Sequence, residues 1–240
     1  GEAVIGDEEQ MQRIEEACQT NLDKVTDPEL KSKLTPDYQA ACKRLIVSDD
    51  FYDAIQKPNA HLVTDNIEHV EAGGVRTADG QLHELDVLVL ATGFDGHSFM
   101  RPMDLTGRDG VELSDFWAEA TPAHRSVSLP GFPNFFMLVG PNSPIGNFSL
   151  INISEKQLAY ILQLIDLWRS GEVNEISANQ TAMDAFNGTI KDAMKDTVWV
   201  TGCQSWYLDK NGNPAMWPFP YDKFCTDMTA PNLDEFDLVS

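Results

Sequence analysis

Four short stretches carry residue types that could do chemistry. The first is Lys43-Arg44, two adjacent cations in a chain of 240 residues whose net charge is −21. Such a pair can grip a phosphate and stabilise developing negative charge. The competing reading is a solvated surface pair, which composition alone favours. The second stretch is GPNSPIGN, Gly140 to Asn147. A glycine-bearing loop that leads into a helix presents N–H groups and about half a positive charge at the helix N-terminus. That suits a phosphate or the polar edge of an aromatic group, although many strand–loop–helix units bind nothing. The loop is not G-x-S-x-G, so Ser143 is a poor hydrolase nucleophile. The third is Ser205-Trp206-Tyr207, whose rings can stack on a ligand, line a pocket, or simply fill a core. The fourth is DVLVLATGF, Asp86 to Phe94, an apolar run that stops at Thr92-Gly93. Open α/β sheets bind ligands beyond the carboxyl ends of their strands, and a small residue there lets backbone approach a ligand. A strand ending in an ordinary turn is the plainer reading.

The elements that must position these groups follow from pattern. EEQMQRIEEACQTNLDKV reads as a helix with Met11, Ile14, Ala17 and Cys18 at helical spacing. TDPEL predicts a second helix start, capped by Thr26 or Asp27 with Pro28 in the first turn. RLIVS (Arg44 to Ser48) reads as a short strand, and DDFYDAIQ as a helical turn capped by Ser48 or Asp49. Gly73-Gly74 and Asp79-Gly80 predict tight turns between strands. Val87 to Ala91 and Asn134 to Val139 read as buried strands of a parallel sheet. Ser154 with Gln157, and Ser177 with Gln180, match the S-x-x-Q capping box. The first opens a helix with Leu158, Ile161, Leu162, Ile165 and Trp168 on its apolar face, closed by Gly171. The second opens a helix with Met183, Phe186, Ile190 and Met194 on one face. Asn211-Gly212 marks a hairpin near the C-terminus.

Composition narrows the function classes. Hydrophobic content of 42% and charged content of 23% are near globular averages. The acidity argues against nucleic-acid binding, which needs Lys and Arg to neutralise phosphates, and against anionic membrane surfaces. No apolar run approaches the ~20 residues of a membrane span. The four cysteines, Cys18, Cys42, Cys203 and Cys225, form no C-x-x-C pair, which points to reduced thiols and a cytoplasmic setting. The five histidines, His61, His69, His83, His97 and His124, show no metal-ligand spacing, so no metal is expected.

Taken together and in order, CKRLI, DDFYDAIQKPNAHLV, GVRTADGQLHELDVLVLATGFD, GFPNFFMLVGPNSP, ISEKQLAYI and QSWY resemble the C-terminal half of the flavin-dependent monooxygenases, nearest the Baeyer–Villiger branch. The resemblance runs from about Leu34 to the end. ATGFD and GPNSP are shared across that family, whereas KR followed by Y-x-x-x-x-(K/R)-x-N is more particular to the branch. The resemblance implies an α/β chain that forms part of a flavoprotein with two Rossmann-like domains, for FAD and for NADPH. It places a helical insertion at residues 1–36, the C-terminal part of the NADP-binding domain at 37–88 and that of the FAD-binding domain at 89–240.

The resemblance also implies roles. Lys43 matches a residue that contacts the 2′-phosphate of NADPH, and Arg44 an arginine that lies over the flavin and stabilises its peroxide anion. Thr92 and Gly93 match the strand end near the flavin. Gly140, Pro141, Asn142, Asn147 and Phe148 match the loop and helix start that approach the flavin ring and ribityl chain. Trp206 and Tyr207 match aromatics near the nicotinamide ribose and the substrate pocket. The expected partners are O2, a small organic substrate and the N-terminal half of the same enzyme. The departure is large, because the two G-x-G-x-x-G turns and the F-x-G-x-x-x-H-x-x-x-W fingerprint are absent from this sequence. The chain is therefore expected not to hold FAD tightly alone. An inactive remnant or cofactor-free binding module, and an NAD(P)-linked flavin reductase of related architecture, stay open as alternatives.

Overall fold

The computed structural model describes residues 2–146 and 148–240. In chain order it contains helices α1 (Glu8–Leu22), α2 (Pro28–Leu34) and α3 (Phe51–Ile55), then strands β1 (Ile67–Glu71), β2 (Gly74–Thr77) and β3 (Leu82–Glu84). The short helix α4 (Leu113–Phe116) and the long helix α5 (Leu150–Arg169) follow. Strand β4 (Glu175–Ala178), helices α6 (Gln180–Met194) and α7 (Tyr221–Asp227), and strand β5 (Phe236–Val239) complete the order. The fold is mixed α/β. The backbone divides into two units, one of residues 1–14, 38–45 and 96–240, the other of residues 15–37 and 46–95.

The smaller unit is built on local signals. Asp27 caps α2, its carboxylate accepting from the N–H groups of Glu29 and Leu30, with Pro28 in the first turn. Ser48 Oγ accepts from Phe51 N at 3.2 Å at the start of α3, although the residue in the cap position is Asp50. Strands β1, β2 and β3 form one antiparallel sheet, turned at Gly73-Gly74 and Asp79-Gly80 as the dipeptides predict. Val75 and Thr77 alternate inward along β2 and are buried. Arg76 of β2 donates two hydrogen bonds to Glu71 of β1, at 2.7 and 3.0 Å, and with His69 holds the Glu71 carboxyl at about 2.

Two expected strands do not form. Among the described residues, Val87–Ala91 has no ladder partner, and Val87, Val89 and Leu90 are 75–80% exposed. RLIVS is likewise extended and unpaired, with Ile46 and Val47 at 82% and 95% exposure. Neither the expected short strand at Arg44–Ser48 nor the expected buried strand at Val87–Ala91 is present, although both runs are apolar. A parallel strand, however, exists only through neighbours on its edges, and the described residues supply none. The third expected strand, Asn134–Val139, is reduced to a single bridge between Phe136 and Ser128.

The larger unit holds the main core. Tyr160, Ile161 and Leu164 of α5 join Ile176 of β4, Ile190 and Met194 of α6, Trp199, Trp217 and Phe224 in one buried cluster. A second cluster gathers Leu113, Trp117, Leu129, Phe132 and Met137. Strands β4 and β5 pair antiparallel, with Ile176 opposite Leu238 and Ala178 opposite Phe236. The face of α6 is the expected one, with Met183, Ile190 and Met194 buried. That of α5 is not. Its buried residues are Ile153, Gln157, Tyr160, Ile161 and Leu164, while Leu158, Leu162 and Trp168 are exposed. The helix also starts earlier than the S-x-x-Q pattern suggests, and Ser154 lies inside it, donating to Leu150 O. Asn179, not Ser177, caps α6 by accepting from Ala182 N at 2.8 Å. Gly171, with φ 79°, ends α5 as expected. No helix among the described residues is long and apolar enough to cross a membrane.

One charged cluster ties the C-terminus to this core. Arg125 donates to both oxygens of Glu235, at 2.9 and 3.1 Å, and His124 Nε2 lies 3.0 Å from the same carboxylate. Burial pushes His124 below its ordinary 6.5, against the pull of Glu235. Burial would raise Glu235, but hydrogen bonding and charge from Arg125, with His124, leave it below its ordinary 4.5. The unfolded chain therefore binds protons that the folded chain refuses, at His124 below pH 6.5 and at Glu235 below pH 4.5. Stability is lost as pH falls through both windows. Thermal melts should show Tm declining from pH 7 towards 4. Glu235→Gln should flatten the more acidic limb and cost about 1–3 kcal/mol at neutral pH by stranding Arg125. A Tm independent of pH over this range would contradict the assignment.

Candidate functional site

The loop Gly140–Gly146 is held from beneath by one side chain. Gln157, fully buried on α5, accepts from Val139 N at 2.7 Å and donates to Ser143 Oγ at 2.9 Å. It thus holds the loop at both ends of its first turn. A second tether runs through Asn187 of α6, which accepts from Asn142 Nδ2 at 3.3 Å and donates to Ala123 O at 3.1 Å. Asn142 has φ 62°, a left-handed backbone that Asn tolerates. Gly140 is required by close approach, since a Cβ there would sit 2.2 Å from Ser126 O. The N–H groups of Ser143 and Ile145 are already used inside the loop, donating to Gly140 O and Ser143 O. The loop is therefore a less open donor set than its composition suggests.

Two of the other nominated stretches meet this loop. Arg44 reaches across from residues 38–45, its Nη1 donating to Ile145 O at 3.5 Å and Gly146 O at 3.3 Å. Tyr207 is buried against Gly146, where a Cβ would lie 3.0 Å from its ring. Its ring centroid is 4.6 Å from that of Trp206 and 5.4 Å from that of Trp199. Trp206 is 40% exposed, and its carbonyl lies 2.8 Å from His97 Nε2. Lys43 Nζ sits 4.2 Å over the Tyr38 ring. Arg44 and Tyr207, which lie 102 residues before and 61 residues after Gly146, thus both adjoin the glycine loop.

The remaining nominated residues lie elsewhere. Pro141 is buried within the loop. Phe148 packs on Tyr221, with ring centroids 4.9 Å apart, in an open cleft of about 340 Å³ that Glu2, Ile14 and Asp222 also line. Thr92 and Gly93 belong to the smaller unit, where Gly93 has φ 86° and open space on its Cβ side. Asn147 lies outside the described residues.

The cysteines correct another expectation. Cys42 and Cys203 are joined in a disulfide across 161 residues, while Cys18 and Cys225 are free. The bond lies one residue before Lys43 and three before Trp206. Spacing alone could not have paired them. Gln157 was misread as a capping residue. The signal that would have found it is a polar residue among the apolar positions of a long helix.

The site fits one part of a flavin nucleotide and not another. An exposed guanidinium beside a glycine loop, with a half-exposed indole nearby, suits an electron-rich ring that gathers negative charge. The glycine-rich turn that would cradle a pyrophosphate is absent from the sequence.

No family model matches the chain. It is 50% identical over 221 residues to an uncharacterized monooxygenase of Mycobacterium tuberculosis, covering 92% of this chain and 45% of that one. A Baeyer-Villiger monooxygenase of Streptomyces coelicolor is 34% identical over 230 residues, covering 94% and 44%. Among solved structures, cyclohexanone monooxygenase from Rhodococcus sp. Phi1 bound to NADP+ superposes with a TM-score of 0.85 at 27% identity, covering 99% of this chain and 46% of that one. The chain spans about half the length of these relatives.

The clamp makes a direct prediction. Gln157→Leu keeps the volume but leaves Val139 N–H and the Ser143 hydroxyl without their partner, which should cost about 1–3 kcal/mol. Urea denaturation of the variant checks this. Unchanged stability would mean that the loop does not depend on Gln157.

Proposed function

The chain belongs to the flavin-dependent monooxygenase family, and on that premise we propose that it supplies the Arg44 side of a site using FAD, NADPH and O2 on a small organic substrate. The observation that carries this reading is the contact of Arg44 with the carbonyls of Ile145 and Gly146, the glycine that also meets Tyr207. When bound, the flavin supplies the two-electron chemistry that activates O2. The chain's own residues supply position and charge. Arg44 puts a fixed positive charge where negative charge develops on oxygen, and its anchored base spares reorganisation at the moment of reaction. Gly140, Pro141 and Asn142 would help hold the flavin, and Trp206 would offer it an aromatic face. Asn147, Phe148, Thr92 and Gly93 are assigned to the cofactor contact by their place in the motifs. Lys43 serves the extra phosphate of NADPH as a compact cation. The substrate reading is a ketone, oxygenated in the Baeyer–Villiger sense, or a nitrogen or sulfur atom.

On this reading residues 37–88 complete an NADP-binding domain and 89–240 an FAD-binding domain. The exposed apolar segments at Ile46–Val47 and Val87–Leu90 support it, since such surfaces call for cover. They are the places where the N-terminal half of the enzyme would dock. The second reading, a cofactor-free binding module, draws on the missing pyrophosphate turn.

Co-production of the chain with the amino-terminal half of a Baeyer–Villiger relative, followed by 18O2 labelling of a cyclic ketone, separates the readings. The reconstituted protein should incorporate label with NADPH, and its absence would favour the binding module. Arg44→Ala should lower oxygen insertion about 100-fold while NADPH still bleaches the flavin. Normal ketone turnover in that variant would remove Arg44 from the mechanism.

A further inference from the structure

The Cys42–Cys203 bond occupies a telling place. The segment 38–45 contains no helix or strand, and it carries Arg44 to the loop. Its other anchors are the buried side chains of Ala41 and Cys42, the turn in which Cys42 N donates to Gln39 O at 3.2 Å, the Lys43 ammonium over the Tyr38 ring within the segment, and the two long hydrogen bonds of the exposed Arg44. Cys203 lies in an equally irregular stretch that leads into Trp206 and Tyr207. The Cα atoms are 6.2 Å apart, within the range that a disulfide bridges, and Thr201 Oγ1 donates to Cys42 Sγ at 3.5 Å. One covalent bond therefore joins the base of the cation segment to the base of the aromatic segment.

We propose that Cys42 and Cys203 are a reversible redox-modification site that fixes Arg44 beside the Trp206–Tyr207 pair when oxidised and frees segment 38–45 when reduced. The oxidant is hydrogen peroxide. Cys203, 7% exposed against 0% for Cys42, reacts first. Its thiolate attacks one peroxide oxygen, the O–O bond breaks, and the departing hydroxide takes a proton and leaves as water. The Cys42 thiol then attacks the sulfur of the resulting sulfenic acid, forms the S–S bond and expels a second water. Two thiols lose two electrons and two protons, and one peroxide becomes two waters. A small dithiol reverses the change by exchange, becoming a disulfide itself. Opening the bond leaves segment 38–45 with the weak anchors above, so its amides exchange through local opening more often. The catalytic consequence rests on the role proposed for Arg44, but the redox site does not.

The test uses the full native chain, treated with hydrogen peroxide or with dithiothreitol, alkylated with iodoacetamide and mapped by mass spectrometry. After peroxide, Cys18 and Cys225 should be alkylated and a Cys42–Cys203 cross-linked peptide recovered. After dithiothreitol, all four cysteines should be alkylated, and amide exchange across 38–45 should be about ten-fold faster. Cys203→Ser should exchange at the fast rate under both treatments. The double variant Cys18→Ser, Cys225→Ser should keep the full response, and so should Arg44→Ala, so that loss of the catalytic reading leaves this one intact. Four alkylated cysteines after peroxide, a bond that resists dithiothreitol in the native chain, or equal exchange across 38–45 in both states would each overturn the proposal.

Discussion

The two hydrogen bonds of Gln157 support everything else at the candidate site. A buried amide that both accepts from Val139 and donates to Ser143 leaves the glycine loop little freedom. With the loop held, its carbonyls at Ile145 and Gly146 become a fixed ledge for the Arg44 guanidinium. With a glycine at position 146, the same ledge admits the Tyr207 ring at contact distance. The cation and the Tyr207 ring meet backbone that Gln157, with the Asn187 tether, keeps in place. A cation that is to stabilise transient charge must be positioned before the charge appears, and among the described residues Arg44 is held by backbone carbonyls.

The second constraint is the set of strands without neighbours. Val87, Val89 and Leu90 are apolar on successive positions, so both faces of that segment need cover. The same holds for Ile46 and Val47. These segments flank α3 and the small sheet in the one unit, whereas the packed clusters belong to the other. The distribution of burial matches a chain spanning about half the length of its relatives.

How much of this was legible in the sequence depended on how local the cause was. The Asp27-Pro28 cap and the turns at Gly73-Gly74 and Asp79-Gly80 are set by residues within a few positions of each other. The face of α6 followed from periodicity, because its apolar residues occupy one side only. Helix α5 is apolar on more than one side, so periodicity chose Leu158 and Leu162 where the core takes Ile153, Tyr160 and Leu164. The strands failed because a ladder is a property of two segments, not one. At the site, residue type alone nominated Arg44, the glycine loop and Tyr207. Their meeting at Gly146, and the pairing of Cys42 with Cys203, rest on contacts between stretches 61 to 161 residues apart, which no local pattern encodes.

The most direct measurement is a crystal structure of the chain joined to an amino-terminal half of the family, with FAD and NADP+ bound. The account predicts the flavin ring against the Gly140–Gly146 loop, with the Arg44 guanidinium within about 3–4 Å of its face or edge. A flavin seated away from that loop, with Arg44 pointing into solvent, would contradict it.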